Sequence, residues 1–263
     1  MDEFTSVLPR RVMTLFLLVD SSGSMSASGN IAKVNRAIEE MIPLLSDISD
    51  ENEQAEIKLA VMTFDSDVRW VTKDENGNPG PACVYDFVWN DVIASGLTSL
   101  GAAFTELESK LSRRAFMASA TGALAPVIIL LSDGVPTDNY AAALEKLSHN
   151  NWFKVASKIA IAVEGADRDI LAQFTRNSEA VLECDNRTDL KRLMVNLAVV
   201  SSKMQSRSVG VDELQGKNAG DLESVGDMGT ENILDGINFT PTIQPVDGGT
   251  AEDYDLELGS NTF

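Results

Sequence analysis

The stretch Thr14-Leu-Phe-Leu-Leu-Val-Asp20-Ser-Ser-Gly-Ser24 decides the fold. Its first six residues contain no alternation of apolar and polar side chains, so they suit a strand buried on both faces of a sheet. The run stops abruptly at Asp20, and a tight turn of small and hydroxylated residues follows. It is far shorter than the roughly 20 apolar residues that span a bilayer.

Downstream, Ile31, Val34, Ile38, Met41, Ile42, Leu45 and Ile48 recur three or four apart, the spacing of one helical face. Pro43 falls within that face and predicts a kink or an early end. A second strand is expected over 57–64, with 68–71 as its hairpin partner. Residues 73–81 form a loop rich in turn formers. Leu100, Ala103, Phe104, Leu107 and Leu111 mark a helix, 118–125 a loop of small residues, and 126–131 the most apolar strand. A short helix at 140–147, a strand near 155–163, a helix at 167–174, a strand at 180–183 and a helix over 190–200 complete the alternation. This pattern predicts a doubly wound α/β fold, with a mostly parallel central sheet flanked by helices in three layers. In such sheets ligands sit beyond the carboxyl ends of the strands.

The composition sets further bounds. With 44% hydrophobic and 23% charged residues, most of the 263-residue chain can bury a core, which excludes wholesale disorder. There are 40 acidic against 21 basic side chains, a net charge of −19 that disfavours nucleic acid and anionic membranes as partners. Residues 205–263 hold 12 of the acids and only 2 of the bases. The division expected is therefore a folded domain over 10–204 and an acidic, largely irregular tail over 205–263, with one or two short strands conceivable at 233–243. The start, Met1-Asp-Glu-Phe, is acidic where a signal peptide would be basic. Cys83 and Cys184 form no CxxC pattern, so neither a disulfide framework nor a thiolate zinc site is indicated. A reducing cytoplasm is the expected compartment.

Three loops carry the chemistry. Asp20, Ser22 and Ser24 place three oxygens on alternate residues of one turn. Thr98 lies in Ser95-Gly-Leu-Thr-Ser-Leu-Gly101, which opens a helix. Asp133 follows the third long strand, in Ser132-Asp-Gly-Val-Pro-Thr-Asp138. Two carboxylates and three hydroxyls, without His or Cys, describe a site for a hard divalent cation: Mg²⁺ first, with Mn²⁺ or Ca²⁺ as alternatives. Taken alone, the DxSxS turn could be a helix entry, and Ser95 or Ser99 could stand in for Thr98. Asp138 is expected to cap the helix beginning near Tyr140. His149 reads as a loop residue, Asp65 and Asp67 as a hairpin turn, and the cysteines as small packed side chains. No nucleotide-binding glycine loop is present, and no catalytic triad can be assembled.

The DxSxS turn, the loop threonine in its GxTSLG setting and the DGxPTD turn resemble, in order, the metal-ion-dependent adhesion site of von Willebrand factor A domains. The runs LFLLVDSSGSM, VMTFDSDV and LLSDGVPTDN look most like the intracellular bacterial tellurium-resistance (TerY-like) branch. The resemblance covers residues 10–204 and implies that Ser22 and Ser24 bind the ion directly. Thr98, Asp20 and Asp133 would bind it directly or through water. It also implies a non-enzymatic module that captures an acidic residue of a protein partner, with kinase and phosphatase-like proteins as associates. A carboxylate of the tail, such as one in Glu252-Asp-Tyr-Asp255, could compete for the ion in cis. The competing readings are a metal-dependent phosphohydrolase and a secreted adhesin of the same fold.

Overall fold

The computed structural model describes residues 10–53, 55–133 and 135–183, together with residues 223, 224, 226–228, 230, 231 and 234. Seven strands form one sheet: β1 (Arg11–Asp20), β2 (Ala55–Phe64), β3 (Val68–Trp70), β4 (Ala82–Cys83), β5 (Val127–Ser132), β6 (Ser157–Ala162) and β7 (Val181–Glu183). The order is β3-β2-β1-β5-β6-β7, with β4 also paired to β2. Pairing is parallel from β2 to β7, and only the short β3 and β4 run antiparallel. The helices are α1 (Asn30–Glu51), α2 (Leu100–Lys110), α3 (Tyr140–Ser148), α4 (Asn151–Val155) and α5 (Arg168–Thr175). This is the three-layer, doubly wound α/β arrangement that the alternating runs predict.

Strand β1 shows why its sequence is apolar throughout. Leu15, Leu17 and Val19 join one core cluster with Val34, Ile38, Met41 and Leu45 of α1. Phe16 and Leu18 join the other, with Leu100, Phe104 and Leu107 of α2 and Phe153 and Phe174 from α4 and α5. Successive side chains point to opposite faces, and both faces are roofed by helices.

The chain winds from β1 through α1 to β2 on one side, and later through α2 to β5 on the other. β1 and β5 are therefore the adjacent strands at which the direction of winding reverses. A crevice at their carboxyl ends is the expected binding place.

Two local expectations are corrected. Pro43, expected to kink or end the helix, does not end α1, which continues to Glu51. Its own side is exposed, while Met41, Ile42 and Leu45 are buried, so packing of the apolar face outweighs the lost backbone bond. The strand expected near 155–163 is shorter, because α4 takes up Asn151–Val155. The Asn150 side chain accepts from the N–H groups of Trp152 (2.8 Å) and Phe153 (3.3 Å), which starts a helical turn there. The helix expected over 190–200 lies outside the described residues. So does the strand region 233–243, apart from Leu234, which is helical.

Candidate metal centre

Asp20 is the last residue of β1 and is fully buried, because β1 has a paired strand on each side. One carboxylate oxygen accepts from the Ser22 N–H at 2.8 Å, closing the turn. The other accepts from the Ser132 hydroxyl at 2.6 Å. The Ser22 and Ser24 hydroxyl oxygens lie 3.0 Å apart, Ser22 buried and Ser24 exposed. Ser21 turns the other way, its hydroxyl donating to the Phe64 carbonyl at 3.2 Å. The alternate positions 20, 22 and 24 thus gather on one side of the turn.

Thr98 is held against this turn by its neighbours. The Ser95 N–H donates to the Ser21 carbonyl at 2.8 Å, and the Gly23 N–H to the Gly96 carbonyl at 3.1 Å. On the far side, the Thr98 carbonyl accepts from the Thr137 N–H (2.9 Å) and hydroxyl (3.1 Å), so the 95–98 loop is wedged between the other two. Gly96 takes a φ of +69°, and a Cβ there would lie 2.5 Å from the Ser66 oxygen, which itself accepts from the Leu97 N–H at 3.0 Å. Thr98 is buried, whereas Ser95 is exposed and Ser99 partly exposed.

Asp133 leaves β5 with 6% exposure and accepts from the Val135 N–H at 3.2 Å. Burial pushes the Asp20 carboxyl up to about 6; hydrogen bonds from Ser132 and Ser22 offset part of this, and the charge of Asp133 adds to it. No basic side chain is among the groups acting on Asp20. Two neighbouring carboxylates, one wholly buried and neither neutralised by Lys or Arg among the described residues, are short of positive charge. Hydroxyl and carboxylate oxygens would supply a hard cation. Among the described residues no group of three or more His, Cys, Asp or Glu offers a rival site.

Of the five residues singled out from sequence, Asp20, Ser22 and Ser24 lie at the carboxyl end of β1, Asp133 lies at that of β5, and Thr98 lies in the loop wedged between them. Asp138 does not play its expected part. Its carboxylate accepts from the N–H groups of Gly101 (2.9 Å) and Ala102 (3.0 Å), capping α2, while Asn139 caps α3. Asp65 and Asp67 form the hairpin turn expected of them, bridged by Arg69. His149 is exposed at the end of α3.

The sequence reading missed Ser132, although strand register could have found it. Val19 pairs with Leu131, so the next residues, Asp20 and Ser132, fall side by side. It also missed the rim. Leu97 beside Thr98, Val135 beside Asp133 and Ile93 at the entry to the middle loop are 60%, 52% and 83% exposed.

Residues 14–194 match the family of the von Willebrand factor type A domain. The chain belongs to that family. The von Willebrand factor type A fold is also shared with solved structures. The pilus adhesin SpaC of Lactobacillus rhamnosus GG aligns with a TM-score of 0.56 at 14% identity, over 72% of this chain and 30% of that one. The ArnB paralog VWA2 of Sulfolobus acidocaldarius gives 0.50 at 19%, over 70% and 44%. A manganese-loaded TRAP protein of Plasmodium vivax gives 0.50 at 20%, over 72% and 74%. This chain spans half or less of the mussel byssus, Catenulispora acidiphila and Lactobacillus proteins it aligns with, at 48%, 43% and 30% of their lengths. No functionally curated protein matches it. Among the described residues no helix is long and apolar enough to cross a membrane.

Proposed function

We propose that Asp20, Ser22, Ser24, Thr98 and Asp133 form a metal-ion-dependent adhesion site, and that the protein is a binding module without catalytic activity of its own. The observation that carries this reading is the buried Asp20 carboxylate beside Asp133, bonded by hydroxyls and, among the described residues, acted on by no cationic side chain. The manganese-loaded TRAP structure supports divalent metal chemistry on this fold, and Mg²⁺ is the ion we assign to this chain. When bound, such an ion offers a vacant position to a carboxylate oxygen of a partner protein.

The chain's own residues define the rest of the recognition. Ser132 and the Ser22 N–H hold Asp20 in one orientation, and the wedge of residues 95–98 keeps Thr98 in place. Leu97, Val135 and Ile93 give the opening an apolar rim. The net charge of −19 repels a polyacidic partner. An isolated Asp or Glu carried between apolar side chains fits best.

The finer assignment is an intracellular bacterial complex of the tellurium-resistance (TerY-like) type with kinase and phosphatase-like partners. It rests on the likeness of the three quoted runs. In it, residues 10–204 are the binding domain, and a carboxylate of the tail competes in cis for the ion. Mg²⁺ titration by calorimetry on wild type and Asp20→Ala tests the site, and a pull-down in Mg²⁺ eluted with EDTA tests the bridge. Loss of metal binding in Asp20→Ala with the fold retained is the expected result. Equal metal binding by both proteins overturns the reading.

A further inference from the structure

Lys158, the second residue of β6, lies at the amino-terminal end of the parallel strands, opposite the crevice that holds Asp20. Beside it is a cleft of about 210 Å³. One wall carries Lys154, Lys158 and Arg176; the other carries Glu223, Asp227 and Glu231, each of them helical.

The contact between the walls is intimate. β7 pairs with β6 only from Ala160 onward, so among the described residues Lys158 has no strand partner on that edge. The Thr230 hydroxyl takes the place of one: it accepts from the Lys158 N–H at 3.1 Å and donates to the Gly226 carbonyl at 3.0 Å. Thr230 and Lys158 are each only 3% exposed. Gly226, one helical turn before Thr230, lies against the α4–β6 junction. A Cβ there would overlap the Lys154 carbonyl and lie 2.8 Å from that of Ala156, so only glycine permits the approach.

Charge reinforces the shape. Arg176 pairs with Glu223 at 3.0 Å. The Lys158 ammonium donates to the carbonyls of Phe153 (3.1 Å) and Ala156 (2.8 Å) and lies 5.2 Å over the Phe153 ring. Burial lowers its pKa to about 8, and Asp227 and Glu223 act to raise it again.

We infer that the domain carries a second, metal-independent interaction site at this pole: a cationic groove that takes an acidic helix with Gly and Thr four residues apart, filled here by the chain's own Glu223, Gly226, Asp227, Thr230 and Glu231. Glycine and threonine at that spacing share one face of a helix, and Glu223 pairs with Arg176 alongside it. Tethering makes the contact intramolecular, so a free helix of the same sequence gains entry only after the resident helix is displaced.

The test uses the full-length chain in EDTA, which separates it from the metal-site reading. A fluorescent synthetic peptide of residues 221–236 is titrated against wild type and Gly226→Leu, and binding is followed by anisotropy. Gly226→Leu should bind the peptide at least tenfold more tightly than wild type, and more weakly as salt rises. Equal binding by both, or by neither, overturns the proposal. Independently of that variant's folding, hydrogen exchange at the Lys158 amide should be at least tenfold faster in Thr230→Val than in wild type. Unchanged exchange overturns it. A wild-type dimer that dissociates on Gly226→Leu substitution would overturn the assignment to the chain's own helix, giving the groove to a second copy.

Discussion

The Ser132 hydroxyl donates to the buried carboxylate of Asp20 across the β1–β5 strand pair, 112 residues away in sequence and 2.6 Å away in space. The bond joins the two strands at which the winding of the sheet reverses. It also fixes the orientation of the carboxylate on which the candidate metal centre depends.

Removing that bond should be costly. Ser132→Ala leaves a fully buried carboxylate oxygen without its donor, a loss of about 1–3 kcal/mol. Urea unfolding in EDTA should show a lowered midpoint with an unchanged slope. Mg²⁺ affinity, measured by calorimetry, should fall as well, because Asp20 loses one of the bonds that orient it.

In the metal-free protein, the contribution of Asp20 to stability should grow on acidification. Burial raises the Asp20 pKa from 3.8 to about 6, so its proton is held more tightly folded than unfolded. This contribution is complete below pH 3.8 and is lost as pH rises through 6, a change of about 3 kcal/mol. Because other carboxylates titrate too, the quantity to measure is the difference between wild type and Asp20→Asn in EDTA. That difference should move against wild type between pH 4 and 7. Millimolar Mg²⁺ at pH 7 should raise the melting temperature of wild type and leave Asp20→Asn unchanged.

Gly96→Ala should disturb Thr98 without touching it. The φ of +69° costs an alanine about 1 kcal/mol, and the added Cβ meets the Ser66 oxygen at 2.5 Å. Thermal melting should report the loss, and Mg²⁺ binding should weaken.

The rim should separate partner binding from metal binding. Leu97→Asp and Val135→Asp alter side chains that are more than half exposed, so the fold should tolerate them. Mg²⁺ affinity should stay within about threefold of wild type, because neither residue is a proposed ligand. Affinity for a captured partner should drop tenfold or more, read by surface plasmon resonance in Mg²⁺.

Much of the architecture was legible in the primary structure. The unbroken apolar runs of β1 and β5 report burial on both faces, and abrupt polar turns at their ends report where the crevice lies. The exceptions arose where longer-range packing overrode a local signal. Pro43 could not stop α1 against the pull of Met41, Ile42 and Leu45, and Asn150 converted the start of an expected strand into a helical turn. Asp138 was expected at the nearer helix and caps the more distant α2 instead.

The amino-acid order alone determined which oxygens were available and that three separate turns carry them. Hydrophobic periodicity and turn chemistry are local properties, and a linear reading can detect them. Only the tertiary structure decided that Ser132 steadies Asp20, that residues 95–98 are wedged between the other two loops, and that Thr230 closes the sheet edge at Lys158. Each of these depends on strand register and on close approach of distant backbone, which spacing along one chain does not encode.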